Sequence, residues 1–310
     1  MMLLIDIVVI VIGIVLVLKG ADWLTEGASA LARRMKMSEM LIGLTIVAAG
    51  TSAPELFVSV VSALKDTPDM AMGNVVGSNI MNTMLIVGCA ALVAPMTISK
   101  STVKKDIPFA VGASVLLLLL GLNSSLSRID GLLLLVGFVA FMVYSIKNSE
   151  PSENAENAEN AKPVWRSVVS VLGGLLGLVA GSNIFVDSAS NVALSLGISE
   201  GVVGLTVVAG GTSLPELATT VVAARTGQSA IAIGNVIGSN VFNILLILGL
   251  TATISPLRIE GVTTVDMSVM LLSIVLLWLF SRTRYTVERW EGAALLLGYL
   301  VYLVWLITSL

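Results

Sequence analysis

Residues 43–56 read GLTIVAAGTSAPEL, and residues 204–217 read GLTVVAGGTSLPEL. A second pair follows at the same spacing: MGNVVGSNIMN from Met72 and IGNVIGSNVFN from Ile233. Both offsets are 161 residues without a gap, and 22 of the 40 positions from Gly43 to Asn82 are identical to their partners from Gly204 to Asn243. Apolar stretches resemble one another by composition alone, but shared Pro, Glu, Asn and Gly do not arise that way. The register reaches back to Gly20-Ala21-Asp22 against Gly181-Ser182-Asn183, and forward to Gly88 against Gly249. The chain is an internal duplication.

Around these motifs the sequence is too apolar for a water-facing surface. Of 310 residues, 56% are hydrophobic and 12% charged, and the mean hydropathy is +0.99. A soluble domain carries roughly 25% charged residues. Lipid is therefore the expected partner, and soluble enzymes, nucleic-acid binders and disordered scaffolds are excluded. A net charge of -3 implies no polyionic partner. There are no histidines and one cysteine, Cys89. That removes imidazole chemistry, intrachain disulfides and thiolate clusters, and leaves carboxylates, hydroxyls, amides and main-chain carbonyls, which are hard oxygen ligands.

A membrane span needs about 20 mainly apolar residues. Ten such runs are expected, at about 3–31, 40–64, 70–94, 106–123, 129–147, 165–195, 201–224, 230–255, 262–281 and 288–308. The first lacks a basic leader and a small-residue cleavage site, and reads as a retained span. The chain is thus an all-α polytopic membrane protein: a first five-helix repeat over 1–147, a linker over 148–164 with ENA three times over, and a second repeat over 165–310. Five is odd, so the second copy enters the membrane from the opposite side and the two repeats have inverted topology. With the N-terminus outside, thirteen Lys and Arg fall in inner loops or their flanks and three (Lys65, Arg128 and Arg258) in outer ones. This places the linker in the cytoplasm of a cell bearing the protein in its plasma membrane.

Inverted repeats bring matched residues together near mid-membrane. Glu55 and Glu216 lie well inside the second and seventh runs with no Lys or Arg at that depth. A charged side chain at the bilayer centre costs about 2.5–3.5 kcal/mol on insertion scales, so two matched copies read as a cation-ligand pair, against the plainer alternative of protonated glutamates gluing helices. Pro54 and Pro215 precede them. Each displaces the carbonyl four residues earlier, at Gly50 and Gly211, and is expected to free carbonyls near Ala48 and Ala209; an ordinary healed kink is the alternative. Thr51 and Ser52 are expected to share a helix face with Glu55, as Thr212 and Ser213 do with Glu216. Asn74, Ser78 and Asn82 form a polar stripe at four-residue spacing, repeated as Asn235, Ser239 and Asn243. With Gly73-x-x-x-Gly77 and Gly234-x-x-x-Gly238 beside it, the stripe alone reads equally well as packing. Together these groups make a ring of oxygens. Ca2+ takes about 6–8 oxygens, and one Ca2+ balances two glutamates. Asp22 and Glu26 lie near the end of the first span, where Lys19 offers Asp22 a local ion pair.

At this point the sequence resembles the sodium/calcium exchanger family of the cation/Ca2+ antiporter superfamily, in its prokaryotic type without a large regulatory loop. The residues carrying the resemblance are Gly50–Glu55 and Gly211–Glu216, each followed by its GN-x-x-GSN segment at Gly73–Asn79 and Gly234–Asn240. The resemblance implies Na+-driven Ca2+ export by alternating access, with the first and sixth helices sliding over the other eight. It implies as ion ligands Ala48, Thr51, Ser52, Glu55, Ser78 and Asn82, with Ala209, Thr212, Ser213, Glu216, Ser239 and Asn243. No catalytic residue, no resident cofactor and no protein partner is implied; Na+ and Ca2+ are the transported ions. One departure stands out. Several family members place Asp where this chain has Asn243, so only two acidic ligands are expected. A proton-coupled Ca2+ exchanger is the nearest alternative, disfavoured by the hydroxyls of Thr51 and Ser52. A passive cation channel is the alternative from another class.

Overall fold

The computed structural model describes residues 2–148, 163–196 and 209–309. Most of the expected linker and the start of the seventh run, including Gly204, lie outside the described residues. The helices are α1 (Met2–Met35), α2 (Glu39–Thr51), α3 (Ala53–Leu64), α4 (Pro68–Val93), α5 (Asp106–Gly121), α6 (Arg128–Lys147), α7 (Val164–Ser195), α8 (Ala209–Thr212), α9 (Leu214–Arg225), α10 (Ser229–Ile254), α11 (Thr264–Arg282) and α12 (Arg289–Ser309). Among the described residues seven helices are long and apolar enough to cross a membrane, or eight when α2 and α3, bent by 47°, count as one span. Of the ten runs expected, the one at 106–123 is shorter, since α5 has 16 helical residues.

Burial sorts these helices into an inside and an outside. In α10, 94% of the most apolar stretch is buried and in α4 72%, against 17% in α12 and 22% in α6. The two helices carrying the Asn/Ser stripes therefore form the centre, and leucine- and valine-rich helices form the rim. Exposed Leu, Ile and Val on α1, α6, α7 and α12 are the surface expected against hydrocarbon.

The packing repeats at the sequence offset. The two-residue strand β1 (Met96–Thr97) pairs antiparallel with β4 (Thr286–Val287), and β2 (Ser125–Leu126) pairs with β3 (Leu257–Arg258). Met96 faces Val287 and Leu257 faces Leu126; adding 161 to Met96 and Leu126 gives Leu257 and Val287, so one ribbon maps onto the other. Each ribbon joins a connector of one half to a connector of the other. The glycines behave alike. A Cβ built on Gly20 of α1 would lie 2.7 Å from Leu178 N, and one on Gly174 of α7 would lie 2.6 Å from Leu24 N. Only glycine lets α1 and α7 cross this closely.

Gly234 and Gly238 meet Gly43 and Leu44 at backbone contact, as a close-approach motif should. The matching contacts of Gly73 and Gly77 would fall on residues 204 and 205, outside the described residues.

Candidate functional site

The site begins where two helices break. α2 ends at Thr51 and α3 begins at Ala53, with Ser52 between them at φ -83 and ψ 6. In the other half Ser213 separates α8 from α9 at φ -91 and ψ 5. Pro54 and Pro215 occupy first-turn positions of the new helices, where a missing N–H costs nothing. Glu55 and Glu216 fall in the same first turns, facing the partial positive charge of a helix N-terminus.

The break changes one expectation. Thr51, Ser52 and Glu55 do not lie along one uninterrupted helix face, because Ser52 has left helical geometry. Its hydroxyl instead reaches the other half: Ser52 Oγ donates to Glu216 Oε1 at 3.0 Å. Reciprocally, Ser213 Oγ donates to Glu55 Oε1 at 3.1 Å and lies 3.2 Å from Ser78 Oγ. Thr51 Oγ1 donates to Asn235 Oδ1 at 3.0 Å. Each half thus supplies hydroxyls to the other half's carboxylate or amide.

A second difference concerns the carbonyls. That of Ala48 accepts the Ser52 N–H at 2.9 Å and is approached by Thr51 Oγ1 at 3.4 Å, so it is engaged within its own helix rather than freed. The Gly211 carbonyl, displaced by Pro215, accepts Ser182 Oγ of α7 at 2.7 Å. Ala209 begins α8 and Thr212 ends it.

Asn74 and Asn235 fix the chain around the glutamates. Asn74 Nδ2 donates to the Glu55 carbonyl at 3.1 Å and to Ser59 Oγ at 2.9 Å. Asn235 Nδ2 donates to the Glu216 carbonyl at 3.5 Å and to Thr220 Oγ1 at 3.0 Å. Sequence reasoning missed Ser59 and Thr220, although they too are a hydroxyl pair at the 161-residue offset. Asn82 and Asn243 each lie in a widened, π-helical turn, at Met81–Ile86 and Phe242–Leu248. Such turns recur at functional sites.

Both glutamates are 1% exposed, yet their second carboxylate oxygens, both Oε2, have no hydrogen-bond partner. Asn82 Oδ1, Ser239 Oγ and both polar atoms of Asn243 are also buried without partners. Buried polar groups are ordinarily paired. Lys19 pairs with Asp22 at 3.7 Å on the exposed surface, far from the glutamates in sequence, and among the described residues no basic side chain forms an ion pair with Glu55 or Glu216. Among the described residues no group of three or more Asp, Glu or Cys side chains is assembled either. What remains is an oxygen-lined set of donors with two carboxylates, the composition that suits a hard cation of charge +2.

Comparison with known proteins agrees with this chemistry. The sodium/calcium exchanger protein family matches residues 5–147 and again 166–308. A putative antiporter, CaxA of Alkalimonas amylolytica, is 37% identical over 97% of this chain and 98% of its own length. The sodium/calcium exchanger MaX1 of Methanosarcina acetivorans is 33% identical over 98% and 99%. The solved structure of the sodium-calcium exchanger NCX_Mj soaked with 10 mM Na+ and zero Ca2+ superimposes with a TM-score of 0.87 at 32% identity, covering 97% of this chain and 99% of that one.

Proposed function

The chain belongs to the sodium/calcium exchanger family, and we propose that it exports Ca2+ in exchange for Na+ across the plasma membrane, by alternating access to a site between its two halves. The observation that carries this reading is the pair of buried glutamates, each hydrogen-bonded through one oxygen to a serine of the other half and unpartnered at the second. The proposed ligands are Thr51, Ser52, Glu55, Ser78 and Asn82 with Thr212, Ser213, Glu216, Ser239 and Asn243, joined by the carbonyls of Ala48 and Ala209. One Ca2+ neutralises the two carboxylates. Returning the empty site would carry two uncompensated charges through low dielectric, so Na+ reloads it before the return.

We read the architecture as ten spans in two inverted repeats, 1–147 and 165–310, with the N-terminus outside and residues 148–164 cytoplasmic. The reciprocal contacts between halves support that reading, and the backbone-close crossing of α1 and α7 suits a pair that slides as one body. Coupling to Na+ is favoured over coupling to protons by hydroxyls at Thr51, Ser52, Thr212 and Ser213, which ligate Na+ without titrating. The test is Ca2+ accumulation in proteoliposomes under separate Na+, K+ and proton gradients. Uptake should follow the Na+ gradient alone. Uptake on a proton gradient would establish the proton-coupled alternative, and Ca2+ flux without any opposing gradient would establish a channel.

A further inference from the structure

Two polar side chains that the exchanger reading leaves unused, Thr83 and Asn240, form a chain that ends on a site residue. Thr83 Oγ1 donates to the main-chain carbonyl of Asn79 at 2.9 Å. A carbonyl only accepts, so the single hydroxyl proton of Thr83 is committed there and its oxygen can only accept from elsewhere. Asn240 Nδ2 supplies that donor at 2.8 Å. The opposite end of the Asn240 amide is therefore its oxygen, and it accepts Asn82 Nδ2 at 3.2 Å. Asn82 is thereby held with its NH2 group toward Asn240, which leaves its Oδ1 buried and without a protein partner. One main-chain carbonyl fixes the orientation of an amide two side chains away.

The second half lacks this device. The position 161 residues after Thr83 is Ile244, which has no hydroxyl. Asn79, the counterpart of Asn240, donates instead to the Val75 carbonyl at 2.8 Å. Asn243, the counterpart of Asn82, has neither polar atom partnered.

We propose that Thr83 and Asn240 are positioning residues that hold Asn82 with its amide oxygen presented to the cation, while Asn243 carries no such restraint. The two half-sites then offer unequal ligands, a fixed oxygen from the first and a rotatable amide from the second. A cation is attracted by the oxygen end of an amide and repelled by the NH2 end, so fixing one orientation in advance removes a cost of binding. This rests on the reading of Asn82 as a ligand of the exchanger site.

The test is Ca2+ binding to the full chain in detergent without Na+, followed by titration calorimetry. Thr83→Val and Asn240→Ala should each raise half-saturating Ca2+ roughly three- to tenfold, the scale of one lost hydrogen bond. Thr83→Ser keeps the hydroxyl and should stay within about twofold of wild type by the same measure. With Asn82→Ala in place, Thr83→Val should cost nothing further, which a merely structural role would not produce. Should Thr83→Val fail to fold, Asn240→Ala alone and combined with Asn82→Ala makes the same comparison. Wild-type binding in either variant, or an undiminished loss when Asn82 is already alanine, overturns the positioning role and leaves the exchanger reading standing. A wild-type chain that binds no Ca2+ overturns both.

Discussion

The hydroxyl of Ser213 donates to the carboxylate of Glu55 at 3.1 Å across 158 residues of sequence, and its counterpart Ser52 does the same for Glu216 at 3.0 Å. Neither glutamate is served by the serine next to it in the chain. The proposed cation site is thus assembled by exchange between halves, so each half is incomplete alone.

Ser52→Ala and Ser213→Ala should therefore have matching effects despite lying in different halves. Each removes a hydroxyl from a buried carboxylate, which contributes about 1.5–3 kcal/mol when the partner is charged. Half-saturating Ca2+ in Na+-driven uptake should rise about tenfold or more in each variant, and Ser52→Thr should restore most of it. An effect confined to one serine would contradict the reciprocal arrangement.

The two carboxylates are buried without a basic partner, which destabilises the protein in the absence of cations. Glu55→Gln keeps an oxygen to accept from Ser213 and removes one charge. Its cation-free unfolding temperature in detergent should rise, by about 2–4 °C for each kcal/mol gained. Added Ca2+, which should raise the wild-type unfolding temperature by binding the folded state, should then have little effect. Thermal scans with and without Ca2+ measure both.

The crossing of α1 and α7 leaves no room for side chains at Gly13, Gly20, Gly174 and Gly181. At Gly20 even a methyl would sit 2.7 Å from Leu178 N and 2.8 Å from the Gly174 carbonyl. Gly20→Val should force the helices apart, cost about 1–3 kcal/mol by overpacking and reduce uptake well below wild type. Unfolding scans and initial rates of uptake on the same preparation check this.

Asp22 invites a role in ion access, but its carboxylate pairs with Lys19 at 3.7 Å, and the two side chains are 48% and 66% exposed. Exposed pairs of this kind contribute about 0–1 kcal/mol. Asp22→Asn should leave the unfolding temperature and the Ca2+ dependence of uptake nearly unchanged. A large shift in half-saturating Ca2+ would instead place Asp22 on the ion path.

Much of this site is legible in the sequence, for a definite reason. Duplication prints each candidate site residue twice, so Glu55 with Glu216 and Asn82 with Asn243 stand out from their apolar surroundings without any structure. What periodicity does not carry is the register between helices of different halves. Read along one helix, Ser52 belongs with Glu55; the break at Ser52 sends its hydroxyl to Glu216 instead. The prolines signal the break, and the sequence holds no sign of which carboxylate benefits. The same holds for Asn240, which in the sequence is only the end of the GN-x-x-GSN segment and proves to be bonded to Asn82. The freed carbonyl at Gly211 was readable from Pro215, but its partner Ser182 lies on a helix whose register against α8 only packing determines.

The central claim, that Glu55 and Glu216 together bind the transported Ca2+, is tested most directly by accumulation of radiolabelled Ca2+ in Na+-loaded proteoliposomes. Wild-type protein should accumulate Ca2+ until the Na+ gradient is dissipated, and Glu55→Gln and Glu216→Gln, each verified as folded, should not accumulate it at all. Accumulation at the wild-type rate by either variant would contradict the paired-carboxylate site.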